Sequence, residues 1–214
     1  WLLAVSLPTL APWWLYAVGM LFAVLVAKHL YGGLGQNLFN PAMVGYAALI
    51  VSFPTYMTQW PAPMDLAGHT PNLLEALDLV FAGQGAVSPD AYTAATPLDT
   101  LRTQVRAGGD AAVIVQQPVF GYLGARGQEM VALMYLLGGL LLLNYRVISW
   151  HIPVAFLAGV TLTATGLHLL DAGRHAGPLF HLLAGGTLLG AFFILTDPVS
   201  ASATPRGKLI YAGL

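Results

Sequence analysis

Charged residues divide this chain into long apolar stretches and one polar segment. With histidine counted as neutral, no charge occurs in residues 1–27, 29–64, 130–145, 147–170 and 175–196. A helix that spans a bilayer needs about 20 mostly apolar residues. The pattern therefore predicts spanning helices over residues 13–28, 130–145, 151–170 and 178–196, with the end of another helix at 1–7 and a half-helix or tilted span at 41–53.

Composition supports a membrane environment. The 214 residues are 57% hydrophobic and only 8% charged, whereas about a quarter of an ordinary soluble domain is charged. We therefore expect an all-α polytopic membrane protein whose solvent is the lipid bilayer. A net charge of −1 argues against nucleic acid binding, which needs a basic footprint, and the absence of cysteine excludes a thiolate-held cluster in this chain.

The chain begins at Trp1 inside one apolar run and stops at Leu214 inside another. Its first residue is not Met, and no basic leader stands at its start. We therefore expect it to be a piece of a longer protein that has further helices at both ends.

The polar segment, residues 65–129, holds seven of the nine acids and three arginines. Within it, residues 72–82 show helical spacing of apolar residues and predict an amphipathic surface helix. The expected organisation is membrane helices over 1–64, an outer loop segment over 65–129 and membrane helices over 130–214. The short loops with Lys28, Arg146, Arg206 and Lys208 fall on the opposite side, which the positive-inside rule places in the cytoplasm.

Two short stretches resemble each other across the chain. Leu38-Phe39-Asn40-Pro41-Ala42 follows a glycine-rich approach, and Leu195-Thr196-Asp197-Pro198-Val199 ends a predicted span. In both, Asn40 or Asp197 can cap a helix that starts with proline. This predicts broken half-helices in an inverted-repeat bundle, whose N-terminal ends could bind a cofactor or ion. The alternative is that both motifs simply start helices after loops.

Residues 90–96 read Asp-Ala-Tyr-Thr-Ala-Ala-Thr. An acid, a hydroxyl three residues later and a final Ala-Thr pair form a candidate covalent-modification site, and an ordinary turn is the alternative. Ser202-Ala203-Thr204 looks similar, but Pro198 stands six residues before Thr204 where the first site has an acid. We therefore prefer Thr96.

Several stretches together resemble one family of membrane proteins, which comprises the B subunit of sodium-pumping NADH:quinone oxidoreductase and the D subunit of the Rnf complex. The two signature stretches are Gly33–Ala42 and Thr196–Ser202. Three further stretches are more similar to the Rnf D subunit than to its relative: Ala95–Thr100, Tyr145–Trp150 and Pro205–Lys208. The resemblance extends through nearly the whole chain.

The resemblance implies an FMN joined through its phosphate to a threonine in a motif of the form Asp-x-x-Ser/Thr-Gly-Ala-Thr. Asp90, Thr93, Ala95 and Thr96 match this motif, with Thr96 as the acceptor. Ala94 stands where the family usually has glycine, and its methyl group restricts the positive φ values that glycine allows.

The resemblance further implies an electron-transfer subunit of an ion-translocating ferredoxin:NAD oxidoreductase in the bacterial inner membrane, with the FMN loop on the periplasmic side. Its expected partners are other subunits of the redox complex and a flavin transferase, and a noncovalent riboflavin is a second expected cofactor. The competing functions are an inverted-repeat channel or transporter for a small polar solute and a purely structural anchor.

Two arginines follow the acceptor. Arg102 and Arg106 are four residues apart and share a face if the segment is helical. They are candidates to neutralise the flavin phosphate, and a plain solvated face is the alternative. Asp90 is either a recognition element for the transferase or a turn residue.

Overall fold

The computed structural model describes residues 1–32, 37, 39–82 and 89–214, and in them the regular structure is helical, with two isolated β-bridges. The glycine-rich approach Gly33–Gln36 and Leu38 of the predicted repeat lie outside the described residues. The helices are α1 (Leu2–Ser6), α2 (Trp13–Leu21), α3 (Pro41–Ser52), α4 (Pro54–Met57), α5 (Leu73–Phe81), α6 (Pro97–Arg106), α7 (Ala111–Ile114), α8 (Gln128–Asn144), α9 (His151–Leu170), α10 (Pro178–Leu183), α11 (Thr187–Leu189) and α12 (Pro205–Gly213). α2 continues as a π-helix over Phe22–Leu30, and α11 continues as one over Gly190–Ile194.

The chain forms two compact units. The first contains Trp1–Thr96 and Pro198–Ser200, and the second contains Pro97–Asp197 and Ala201–Leu214. The predicted outer segment 65–129 therefore contributes α5 to the first unit and α6 and α7 to the second.

In the first unit, α2 and α3 approach each other backbone to backbone. A Cβ atom added to Gly45 would lie 2.5 Å from the carbonyl oxygen of Gly19, so neither position tolerates a side chain without movement. Small residues at a helix crossing are typical of membrane proteins, where close packing rather than water exclusion holds helices together. Leu15 and Leu49, both fully buried, fill the space beside this crossing.

In the second unit, α8, α9 and the two broken segments α10 and α11 enclose a small core around Phe192 and Leu188. α12 lies along α9, where a Cβ atom on Gly159 would be 3.3 Å from the carbonyl oxygen of Gly213. A second cluster of buried side chains, which includes Leu101, Phe120 and Phe180, attaches α6 to α7 and α10.

Four predicted apolar helices are present, and their ends lie close to the predicted ones. The helix Trp13–Leu30 and α9 are long and apolar enough to cross a membrane, and α3 and α8 are shorter apolar helices. Large apolar side chains on them are exposed, for example Leu137 at 53% and Leu162 at 73%. This exposure fits helices that face lipid, because such faces need no burial in protein.

The prediction of one continuous span over 178–196 was wrong. α10 ends at Leu183, Ala184 is extended, and α11 begins at Thr187. Gly185 between them has a φ of 101°, in the left-handed region that glycine adopts at little cost. The apolar composition hid this break, because glycine hardly changes the hydropathy of a window.

Candidate functional site

Residues 90–96, which we call the motif segment, contain the predicted acceptor. Backbone hydrogen bonds attach this segment to an earlier part of the same unit. The amide of Ala62 donates to the carbonyl of Tyr92, and the amide of Ala94 donates to the carbonyl of Trp60, both at 3.0 Å. The motif segment is thus an ordered, paired strand-like stretch instead of an isolated turn.

The predicted residues occupy distinct places along this segment. Asp90 is exposed and lies in a single 3-10 turn, Pro89–Ala91. Thr93 faces Pro61 in an antiparallel bridge. Sequence reasoning missed residues 60–62 as the partner of the motif, since no local pattern in them indicates pairing with residues about 30 positions away.

Burial along the segment is greatest at Tyr92 and falls off toward Ala94 and Ala95. Tyr92 is buried, with 6% of its surface exposed, and this burial raises the pKa of its phenol. Ala94 and Ala95 are exposed, and Thr96 is partly buried. Tyr92 therefore anchors the segment, while Ala94 and Ala95 in its second half stay accessible to solvent.

The alanine at position 94 fits the backbone without strain. Ala94 has no positive φ, since Arg146 is the only non-glycine residue with one in the part of the chain that the structure describes. The freedom that glycine would bring is therefore not used in this conformation. On this geometry, the departure from the family motif costs little in the folded state.

The two candidate arginines lie on α6, which begins at Pro97, immediately after Thr96. Arg102 and Arg106 are both exposed, one helical turn apart, while Leu101 on the other face is buried. They belong to the second unit and Thr96 to the first, so their role toward a phosphate on Thr96 stays a prediction.

Helix α5 has a capping box that connects it to the motif segment. The amide of Glu75 donates to Asn72 Oδ1 at 3.0 Å, and the amide of Asn72 donates to Glu75 Oε2 at 2.9 Å. The same carboxylate oxygen lies 2.9 Å from His69 Nε2. The amide of His69 in turn donates to the carbonyl of Ala91, which places the cap next to the motif segment.

Acid is expected to loosen α5 and its connection to the motif segment. The backbone amide of Asn72, followed by the His69 side chain, lowers the pKa of Glu75. Because the folded-state pKa is the lower one, this stabilisation is present above the unfolded-state value of about 4.3 and is lost as the pH falls through the folded-state value. Hydrogen exchange over residues 73–81 measures it, after correction for intrinsic rates. Glu75→Gln should remove the pH dependence, and an unchanged dependence in that variant contradicts the assignment.

The two predicted half-helix caps differ. Asn40 caps α3, since its Oδ1 accepts from the amides of Ala42 and Met43 at 2.9 and 3.3 Å. No helix begins at Pro198, so Asp197 is not the cap that the sequence predicted. The chain there makes a turn in which the amide of Ala201 donates to the carbonyl of Asp197 at 3.0 Å.

The cap in this region is Thr204 instead. Its Oγ1 accepts from the amide of Gly207 at 3.0 Å, at the start of α12. This structural role accounts for a threonine in the Ser202-Ala203-Thr204 stretch that resembles the acceptor motif. Proline at the first position of α12 satisfies the same rule of helix starts that had suggested Pro198.

Comparison with known proteins identifies the family. The family model described as NQR2, RnfD, RnfE matches residues 1–214. The chain belongs to this family. Its relatives include the D subunit of the ion-translocating oxidoreductase complex of Vibrio cholerae serotype O1 (strain ATCC 39541 / Classical Ogawa 395 / O395), which is 50% identical over 220 residues, covering 99% of this chain and 63% of the relative.

Two further family members carry the same name. The proteins of Salmonella arizonae (strain ATCC BAA-731 / CDC346-86 / RSK2980) and of Escherichia coli O139:H28 (strain E24377A / ETEC) are each 49% identical over 223 residues, covering 100% of this chain. The chain spans 63% of the length of both. The resemblance inferred from the signature stretches is confirmed at the level of the family.

Proposed function

We propose that this chain is part of the D subunit of an ion-translocating ferredoxin:NAD oxidoreductase and carries FMN on Thr96. The observation that carries the proposal is the motif segment. Its backbone is fixed by pairing with residues 60–62. Within the motif, Ala94 and Ala95, which directly precede the acceptor, are exposed. Family membership and the names of the relatives support the redox complex.

The Thr96 hydroxyl is the group that would carry the phosphoester. The modification would form a bond between Thr96 Oγ1 and the flavin phosphorus. The hydroxyl proton leaves, and the bond from phosphorus to the leaving group of the flavin donor breaks.

Bound FMN supplies the electron-transfer chemistry, and this chain supplies its position. A permanent link keeps the flavin near its electron partners without a binding equilibrium. The proposed location is the bacterial inner membrane with the motif segment on the periplasmic side, and the proposed partners are the other subunits of the complex and a flavin transferase. A noncovalent riboflavin near the cap at Asn40 is a second proposed cofactor.

The intact mass of the full-length subunit tests this proposal. Co-expression with an active flavin transferase is expected to add the mass of one FMN minus one water, because a single threonine forms the ester. The unmodified mass is expected when the transferase is omitted. An unmodified mass in the presence of active transferase contradicts the proposal, and a flavin added at a different residue in peptide mapping contradicts the assignment of Thr96.

A further inference from the structure

A basic cavity opens where three helices of the second unit end or begin. It has a volume of about 580 Å³ and lies between the end of α8, the start of α9 and the first turns of α12. Its lining includes Arg146, Ser149, Trp150 and Lys208. The first three come from the Tyr145–Trp150 stretch and Lys208 from the Pro205–Lys208 stretch, neither of which has a role in the proposed flavin site.

Arg146 occupies a backbone position that normally belongs to glycine. The amide of Val147 donates to the carbonyl of Leu142 at 2.9 Å and the amide of Arg146 donates to that of Leu143 at 3.0 Å, which is the Schellman pattern that ends a helix. Glycine is usual at the left-handed residue of this pattern, yet Arg146 adopts it with a φ of 58°. The left-handed backbone at the end of α8 does not favour arginine, so its presence there indicates that the guanidinium group has a function.

Lys208 brings a second cation to the same cavity. Its Nζ donates to Ser149 Oγ at 3.0 Å, across 59 positions of sequence. The side chain is partly buried, so the ammonium group is held in place and not free in solvent. Within the described residues, no carboxylate lies within 4.0 Å of Lys208 or Arg146 to form an ion pair. The cavity therefore has positive charge that its own walls do not neutralise.

The cavity lies at the level expected for lipid headgroups. α8 ends and α9 begins beside it, and both helices are apolar, with exposed Leu141 and Val154 near these ends. Tyr145 and Trp150 are 75% and 56% exposed, as are aromatic residues at a membrane–water interface. A ligand here thus meets apolar helix faces on one side and two cations on the other.

We propose that this cavity binds the phosphate of an anionic phospholipid. Arg146 offers a planar donor pair to two phosphate oxygens, and Lys208, oriented by Ser149, adds a point charge. The acyl chains would lie along the exposed faces of α8 and α9. Basic pockets between membrane helices suit such headgroups, and the two cations, of which Lys208 is held by Ser149, favour an anionic headgroup over a zwitterionic one.

Lipid binding to the full-length subunit tests the proposal. The purified protein is titrated with phosphatidylglycerol or phosphatidylcholine in detergent, and bound lipid is counted by native mass spectrometry. Phosphatidylglycerol is expected to bind more tightly, and Arg146→Gly and Lys208→Gln should each weaken it about fivefold. Arg146→Gly suits the left-handed backbone, so its melting temperature should not fall and a loss of lipid cannot be attributed to unfolding.

Arg174→Gln is the matched control, because it removes one exposed arginine that pairs with Asp171 and should leave lipid binding unchanged. Three results overturn the proposal: equal binding of both lipids, equal loss in Arg174→Gln, and displacement of phosphatidylglycerol by millimolar inorganic phosphate. Release of a protein subunit from the complex by Arg146→Gly, with lipid binding intact, would overturn it in favour of a protein interface.

Discussion

Thr96→Val is expected to abolish the covalent flavin of the full-length subunit completely. Valine has nearly the shape of threonine but lacks the hydroxyl oxygen that forms the phosphoester. The measurement is in-gel flavin fluorescence of the denatured protein after expression with an active flavin transferase. Denaturation removes noncovalent flavin, so the remaining fluorescence reports only the linked cofactor.

Thr204→Val is the matched control for this experiment. Thr204 has the same Ala-Thr context, but its hydroxyl caps α12, so valine there should cost about 1 kcal/mol of stability and leave the fluorescence unchanged. Thr93→Val changes a motif residue that lies in the bridge with Pro61 and is not the acceptor. It therefore tests whether modification needs the motif as well as the acceptor. A fluorescent Thr96→Val protein would contradict the assignment of the acceptor.

The sequence was informative where a signal is local and periodic. Gaps between charges located Trp13–Leu30, α8 and α9 to within a few residues, because a membrane helix has to be apolar over its whole length. The spacing of Leu74, Leu77, Val80 and Phe81 located α5, although Leu74, Leu77 and Phe81 are exposed and Leu79 is the buried residue.

It was uninformative where structure depends on contacts distant in sequence. The pairing of the motif segment with residues 60–62 has no signature in either stretch. The cavity with Arg146 and Lys208 needs Ser149 and Lys208 to meet across 59 residues. The prediction that Asp197 caps a helix was wrong for a related reason. Two polar residues each precede a proline here, Asp197 before Pro198 and Thr204 before Pro205, and tertiary packing selects the second pair as the helix start.

Gly139→Ala is expected to destabilise the second unit by about 1–3 kcal/mol, as overpacking of a close-packed core does. A Cβ atom on Gly139 would overlap the base of the Phe192 ring, and Phe192 is 3% exposed, with little room to move. α8 would have to shift away from the π-helix Gly190–Ile194. Thermal unfolding in detergent, followed by helicity, measures the loss.

Gly166→Ala on α9 is the matched control for Gly139→Ala, since a Cβ atom there meets nothing within 4 Å. Both changes gain the same helix propensity of up to about 1 kcal/mol, so their difference isolates the contact with Phe192. The double variant Gly139→Ala with Phe192→Leu should recover part of the loss, because a smaller side chain frees the space. Equal stability of Gly139→Ala and Gly166→Ala would show that α8 and the broken segment do not pack as described.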